Sequence, residues 1–296
     1  MDDGTRRARP AHRKAALLCG LLFVLAALLP WVAQPAALVG AEGVADGFTE
    51  PGPGINAQPV ASWPPLETHP LDLRPILVLD AGHGGVYPTG DPGALSRDGK
   101  IYESTVTLAM ALRVQALLAQ HEDELQVVMT RTQDVFLSPM ERTNPAAQLQ
   151  ANLFLSLHLN ADTSAKVRGF SCYPTPPGRL NYAESVEFAQ LLVERVRPTG
   201  IPIAGTNGIW FAYYRPSGTG YYKQLMDWAE VDPQNPGGDE SFGVVEYTGC
   251  PSVLIEQWYI TNDADMALFN HERGYDNMAQ CIYLAICDYF GLQPKE

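Results

Sequence analysis

The sequence is short of positive charge and of cysteine. Its 296 residues hold 20 Lys and Arg against 33 Asp and Glu, a formal net charge of −13. Lys/Arg stripes able to follow a phosphate backbone are absent, which argues against a nucleic-acid partner. Residues 1–41 carry five Lys/Arg and two Asp/Glu, so the remainder alone has a net charge of −16 and is not expected to adsorb to an anionic membrane surface. Beyond Cys19, the four cysteines Cys172, Cys250, Cys281 and Cys287 are too sparse to be the disulfide framework of a small secreted domain. Cys281 and Cys287 fall on one expected helix with a rise of about 9 Å between them, too far apart to pair. Cys172 and Cys250 remain a candidate pair, against the simpler expectation of buried free thiols. There is no internal repeat, and His271-Glu272 lacks the second histidine of an HExxH motif. A catalytic or metal site must therefore be gathered from residues far apart in the chain.

What is present begins with an N-terminus different in kind from the rest. Arg6, Arg7, Arg9, Arg13 and Lys14 precede an apolar run from Ala15 to Ala33, interrupted only by Pro30. A basic segment, an apolar segment and then small residues form the layout of an export signal, with Val39-Gly40-Ala41 as a cleavage site. Uncut, residues 15–33 are long enough to span a bilayer once with the basic end inside, and so to act as a membrane tether. Cys19 follows Leu18 rather than a small residue, which argues against a lipoprotein. Cleaved or retained, the segment puts the rest of the chain outside the cytoplasmic membrane, secreted or anchored at the membrane's outer face. Residues 42–74 are rich in Pro and Gly without helical or strand period and read as a linker. Residues 75–294 are the folded domain. A hydrophobic content of 46%, with 13 Tyr and 10 Phe, suits a packed core.

Within the domain, Ile76–Leu79 is a continuous apolar run, as expected of a strand buried on both faces. Leu125–Met129, Leu153–Leu159, Arg168–Tyr173, Phe242–Val245 and Val253–Ile255 are further strand candidates. Helical stripes follow Glu103 (Val106, Met110, Val114, Leu117) and run over Pro139–Ala151, Ala183–Val196 and Tyr275–Phe290. Strands alternating with helices predict a single α/β domain around a twisted, mainly parallel sheet with helices on both faces. Residues 213–240, aromatic, acidic and Gly/Pro-rich, interrupt this rhythm and read as an insertion with one short helix, Tyr221–Glu230.

His83, His158 and Glu256 follow or end three of the expected strands, and in open α/β sheets the carboxyl ends of the strands form the ligand crevice. Glu103 opens the helix after the glycine-rich turn and can reach the same edge. Two imidazoles and a carboxylate suit Zn²⁺, with a coordination position left for water and a further carboxylate as proton carrier. Taken singly, each residue also has an ordinary structural use: a hydrogen-bonded turn histidine, a glutamate at a helix N-terminus, a buried carboxylate.

Four ordered motifs carry a resemblance. The segments "ILVLDAGHGG" (76–85), "DPGA" (91–94) and "YES" around Glu103 look like the opening of the zinc-dependent N-acetylmuramoyl-L-alanine amidases of the amidase-3 family. "VVMTRTQDVFLSPMERTNPA" (127–146), "ANLFLSLHLNAD" (151–162) and "PSVLIEQWYITN" (251–262) are similar to its later motifs, so the resemblance covers about residues 75–291. It implies a phosphorylase/hydrolase-like fold and one zinc ion held by His83, Glu103 and His158. Glu256 would be the catalytic carboxylate, and the reaction hydrolysis of the amide joining N-acetylmuramic acid to the L-alanine of the stem peptide in peptidoglycan. Asn160 is then a candidate for substrate or outer-sphere hydrogen bonding, and Asp80 for orienting His83. Arg131, Asp134 and Arg142 match family positions and read as ion pairs that fix loops.

The chain departs from the family in two places. Glu246 stands roughly where many relatives have an Arg after the penultimate strand, and 213–240 is longer than a minimal family domain needs. Some relatives carry an inserted helix that occludes the zinc until a partner removes it. In that reading Tyr221–Glu230 is a lid with Glu230 as the intruding ligand, and an activator protein is required. The alternatives are an aromatic wall for the glycan groove or a surface elaboration. Three other functions compete with the amidase: a zinc peptidase acting on the stem peptide, a catalytically silent wall-binding regulator, and a metal-free glycosidase using Glu103 and Glu256.

Overall fold

The computed structural model describes residues 72–295 apart from 219 and 235–238. The expected signal or anchor and most of the expected linker lie outside the described residues. Thirteen elements follow in chain order: β1 (Ile76–Ala81), α1 (Glu103–Leu118), β2 (Gln126–Met129), α2 (Pro139–Leu149), β3 (Leu153–Asn160), β4 (Ser171–Pro174), α3 (Tyr182–Val196), β5 (Trp210–Ser217), β6 (Gly220–Asp227), α4 (Gly243–Glu246), β7 (Ser252–Tyr259), α5 (Asp263–Phe269) and α6 (Glu272–Phe290).

Five strands form one sheet in the order β2-β1-β3-β7-β4. The first four run parallel and β4 closes the edge antiparallel. Parallel strands are buried on both faces, which is why β1 and β3 read as unbroken apolar runs. Alternate residues divide between two cores. Leu77, Leu79, Leu155, Leu157, Val253 and Ile255 pack under α1, α3 and α6, through residues such as Met110, Phe188 and Ile282. Val78, Phe154 and Leu254 face the other way, against Ala146 of α2, Val244 of α4 and Ala212 of β5. The sheet is thus covered on both faces, as its strand pattern predicts.

The crossover from β1 to β2 carries α1, and the one from β2 to β3 carries α2 on the opposite face. The strand order therefore reverses between β1 and β3, and in open α/β sheets the carboxyl ends at such a switch point are where ligands bind. The helix α2 starts sharply: Ser138 and Glu141 form a reciprocal capping box and Pro139 takes the first turn. That start places Arg142 beneath β1.

Two expectations fail. Phe242–Val245 is not a strand; residues 243–246 form the single turn α4, which lies over β7 and contributes Val244 and Val245 to the second core. Nor is Tyr221–Glu230 a helix. Residues 220–227 are the second strand of a hairpin with β5, paired from Trp210↔Asp227 to Ser217↔Gly220. Gly218 takes a positive φ of 58° in its turn, as a tight hairpin requires. Glu230 ends a short 3₁₀ turn, Trp228–Glu230, and is exposed. The four described cysteines are buried free thiols, so Cys172 and Cys250 are unpaired. Among the described residues no helix is long and apolar enough to cross a membrane.

Candidate active site

His83 follows β1, where the chain turns out of the sheet with a left-handed φ of 57°. A β-carbon-bearing residue holds that conformation only when its surroundings over-determine it, at a cost of about 1 kcal/mol. Here they do. The His83 carbonyl accepts Arg142 Nη2 at 2.6 Å, and its Nδ1 meets Asp91 Oδ2 at 2.9 Å. The opposite ring nitrogen, Nε2, is left facing Glu103 Oε1 at 3.3 Å.

Glu103 is the first residue of α1 and only 3% exposed. Its Oε2 accepts the Ala94 amide at 2.9 Å, and its Oε1 accepts the Leu159 amide at 2.9 Å. His158, near the end of β3, brings its Nδ1 to 3.1 Å from the same Oε1. The two rings stand nearly perpendicular, at 79°, with centroids 4.9 Å apart. Burial alone would raise the Glu103 carboxyl, but the hydrogen bonds and charge of His158 and His83 hold it well below the usual carboxylate range. Burial likewise opposes a charge on His83; hydrogen bonds to Asp91 and Glu103 outweigh it and raise the imidazole to about 10.

These three residues fit a metal ion. One ligand atom from each lies within 4.8 Å of the others, and among the described residues they form the only such group. The separations of 3.1 and 3.3 Å from Glu103 Oε1 to the two ring nitrogens match the edge of a tetrahedron with ligand bonds of about 2.0–2.1 Å. Glycines hollow out the cradle. A Cβ on Gly93 would sit 2.7 Å from both Glu103 Oε2 and the His83 ring, and one on Gly82 would run into the His158 ring. The donor set, two imidazoles and a carboxylate, suits Zn²⁺.

Glu256 is the register partner of His158 across β3 and β7. Its Oε2 is enclosed and has no hydrogen-bond partner among the protein atoms. Burial, and then the Glu103 charge, push its carboxyl up to about 8 against the pull of Lys223 and His83. It is thus a carboxylate built to exchange a proton, whereas Glu103 is held ionised.

The remaining expectations divide. Asp80 does not orient the His83 ring. Fully buried on β1, it accepts from Thr130, Ser156 and Arg142, the last at 2.9 Å. Its side chain lies on the sheet's second face and bears on the His83 loop only through Arg142, which also donates to the His83 carbonyl. The residue that orients the ring is Asp91. It lies inside the "DPGA" segment, and an acid eight residues beyond a candidate ligand histidine is a signal the sequence offered. Arg131 fixes loops as expected: it pairs with Asp134 at 4.0 Å and also donates to the carbonyls of Ala81, Gly82 and Ser104, while Asp134 caps the Gly85 amide at 2.8 Å. Asn160 stands at the end of β3, half-buried, and accepts the Ala161 amide at 2.9 Å. Glu246 is paired with Arg179 at 2.6 Å. Glu230 stands outside the His83, Glu103 and His158 group.

The Amidase_3 family model, described as N-acetylmuramoyl-L-alanine amidase, matches residues 77–288. The putative N-acetylmuramoyl-L-alanine amidase of Buchnera aphidicola subsp. Baizongia pistaciae is 25% identical over 225 residues, 75% of this chain and 99% of its own length. The N-acetylmuramoyl-L-alanine amidase LytC of Bacillus subtilis is 29% identical over 216 residues, which are 72% of this chain and 35% of LytC. Among solved structures, the catalytic domain of CwlV from Bacillus (Paenibacillus) polymyxa var. colistinus superposes with a TM-score of 0.56 at 31% identity, covering 74% of this chain and 99% of that one. The CwlD amidase from Clostridioides difficile, solved with the GerS lipoprotein, shares the fold at a TM-score of 0.55 and 23% identity, over 74% of this chain and 99% of that one.

Proposed function

The chain belongs to the N-acetylmuramoyl-L-alanine amidase family, a hydrolase that cleaves the amide between N-acetylmuramic acid and the L-alanine of the peptidoglycan stem peptide, and on that premise we propose which of its residues do the work. His83, Glu103 and His158 hold one zinc ion, and Glu256 is the general base. The observation that carries this is the register of Glu256 with His158, which sets a proton-exchanging carboxylate beside a tetrahedral ligand set.

A zinc ion held by His83, Glu103 and His158 would supply Lewis-acid chemistry, polarising a carbonyl oxygen and acidifying a water. The rest falls to the chain. Asp91 accepts from His83 Nδ1, fixing the tautomer that presents Nε2 inward. The Leu159 and Ala94 amides hold the Glu103 carboxylate in place without neutralising it. Glu256 takes a proton from the attacking water and returns it to the alanine nitrogen as the carbon–nitrogen bond breaks, so the amine leaves neutral. Its carboxyl, enclosed at Oε2 and beside the ligand His158, is placed for both halves of that transfer.

The substrate lies outside the cytoplasmic membrane, which supports residues 1–41 as the export signal or a retained tether through 15–33, residues 42–74 as the linker and 75–294 as the catalytic domain. The segment expected as a lid is a hairpin with Glu230 exposed beyond its end. The test is a digest of purified peptidoglycan by the zinc-loaded protein. Free L-alanine amino groups beside intact glycan strands are expected. New amino termini within the stem peptide would point to the peptidase reading, and no cleavage to the silent wall-binder.

A further inference from the structure

Lys223 has no part in the chemistry above, yet the fold carries it to the catalytic side. Residues of β5 and β6 alternate between two faces. Phe211 and Tyr213 pack against Val186 of α3. Ala212 faces the core of Val78, Phe154 and Leu254, which is the sheet face that also bears Asp80 and Glu256. Tyr214 shares the Ala212 face, and Lys223 is its cross-strand partner. The Lys223 ammonium lies 5.4 Å from the centroid of Phe242, whose ring meets Tyr173 edge-on at 5.5 Å. Tyr173 is two residues from Ser171, the register partner of Glu256 on β4.

Other cations near this face are committed. Arg142 is bound to Asp80 and to backbone carbonyls, Arg131 to carbonyls, Arg179 to Glu246, and Arg215 to Asp239. Among the described residues Lys223 makes no ion pair. An exposed ammonium resting on an aromatic ring is a cation able to take an incoming anion at little desolvation cost.

The substrate supplies one. In the stem peptide the L-alanine is followed by a glutamate whose carboxylate stands roughly 7 Å, about two residues, from the scissile carbon. We propose that Lys223 is a specificity-determining residue that binds this second-residue carboxylate, with the stem peptide lying along the exposed side of Tyr214 and Lys223. The proposal rests on the amidase reading. Beyond Lys223 the same face opens on a hollow of about 400 Å³ walled by Tyr214, Pro216, Tyr221, Asp239 and Glu240, room for the peptide that continues past the carboxylate.

The test uses two zinc-loaded full-length proteins, wild type and Lys223→Ala, on peptidoglycans matched except that the second-residue carboxylate is free or amidated. The wild type is expected to prefer the free-carboxylate polymer by about tenfold in kcat/KM, carried by KM. In Lys223→Ala that preference collapses to near unity, with the amidated polymer cleaved as before, and Lys223→Arg restores it. Equal losses on both polymers, or an unchanged preference, would overturn the proposal. If the wild type frees no L-alanine amino group from either polymer, the amidase reading falls and this proposal with it. Lys223 is exposed, so an unchanged melting curve is the expected folding control.

Discussion

Asp91 Oδ2 lies 2.9 Å from His83 Nδ1, and this contact turns the other ring nitrogen toward Glu103 and the cradle. Losing it leaves His83 free to rotate and to change tautomer. Asp91→Ala is expected to weaken zinc affinity by about 10- to 100-fold while the fold is kept. Competition with a chromophoric chelator measures this, and an unchanged affinity would remove Asp91 from the site.

Glu256→Gln separates proton transfer from metal binding. The amide cannot take a proton, so amide hydrolysis should fall by about 10²- to 10⁴-fold, while zinc content by metal analysis stays at the wild-type level. Loss of zinc together with activity would instead make Glu256 a ligand.

Metal binding should release protons. In the metal-free protein the partners of His83 raise it to about 10 and burial raises Glu256 to about 8, so both are largely protonated at pH 7. A cation between the ligands requires His83 neutral and favours Glu256 ionised. Calorimetric titration of the metal-free protein with zinc in buffers of different ionisation enthalpy should report a net release of at least one proton at pH 7. The sign carries over to stability. For a group with a raised pKa, the stabilisation is complete below the unfolded value and is lost as pH rises through the folded one. The metal-free protein should therefore lose the His83 contribution as pH climbs toward about 10.

Asp80 and Arg142 are a buried pair, both sealed beneath the His83 loop. Asp80→Ala strands the Arg142 charge and should destabilise the domain by about 3–5 kcal/mol. Chemical denaturation measures the loss. At temperatures where this variant remains folded, its zinc affinity should fall less than that of Asp91→Ala, since Asp80 touches no ligand side chain.

Much of the fold was legible because its cause is local. The runs at Ile76–Leu79 and Leu153–Leu159 are apolar at every or nearly every position, and only a strand covered on both faces explains that. The stripes after Glu103 and along Tyr275–Phe290 have helical period for the same reason. The hairpin was not legible. Tyr221–Asp227 contains no helix breaker and has no strict apolar alternation, so its strand state depends on β5 lying alongside. Residues 243–246 failed in the opposite sense: a short apolar run is compatible with a strand or a buried turn, and contact with β7 decided for the turn.

At the site the same division holds. The sequence by itself determined that His83, His158 and Glu256 sit at the ends of buried strands, and its motifs singled out Glu103 beside them. Tertiary structure alone decided which nitrogen of each histidine faces the carboxylate, that Asp91 rather than Asp80 orients His83, and that Glu256 stands across from His158. The reason is one of length scale. Strand and helix period come from burial of neighbouring residues, whereas hydrogen bonds over 2.9–3.3 Å between residues as far apart as 8 and 55 positions depend on how β1, α1 and β3 are set against one another.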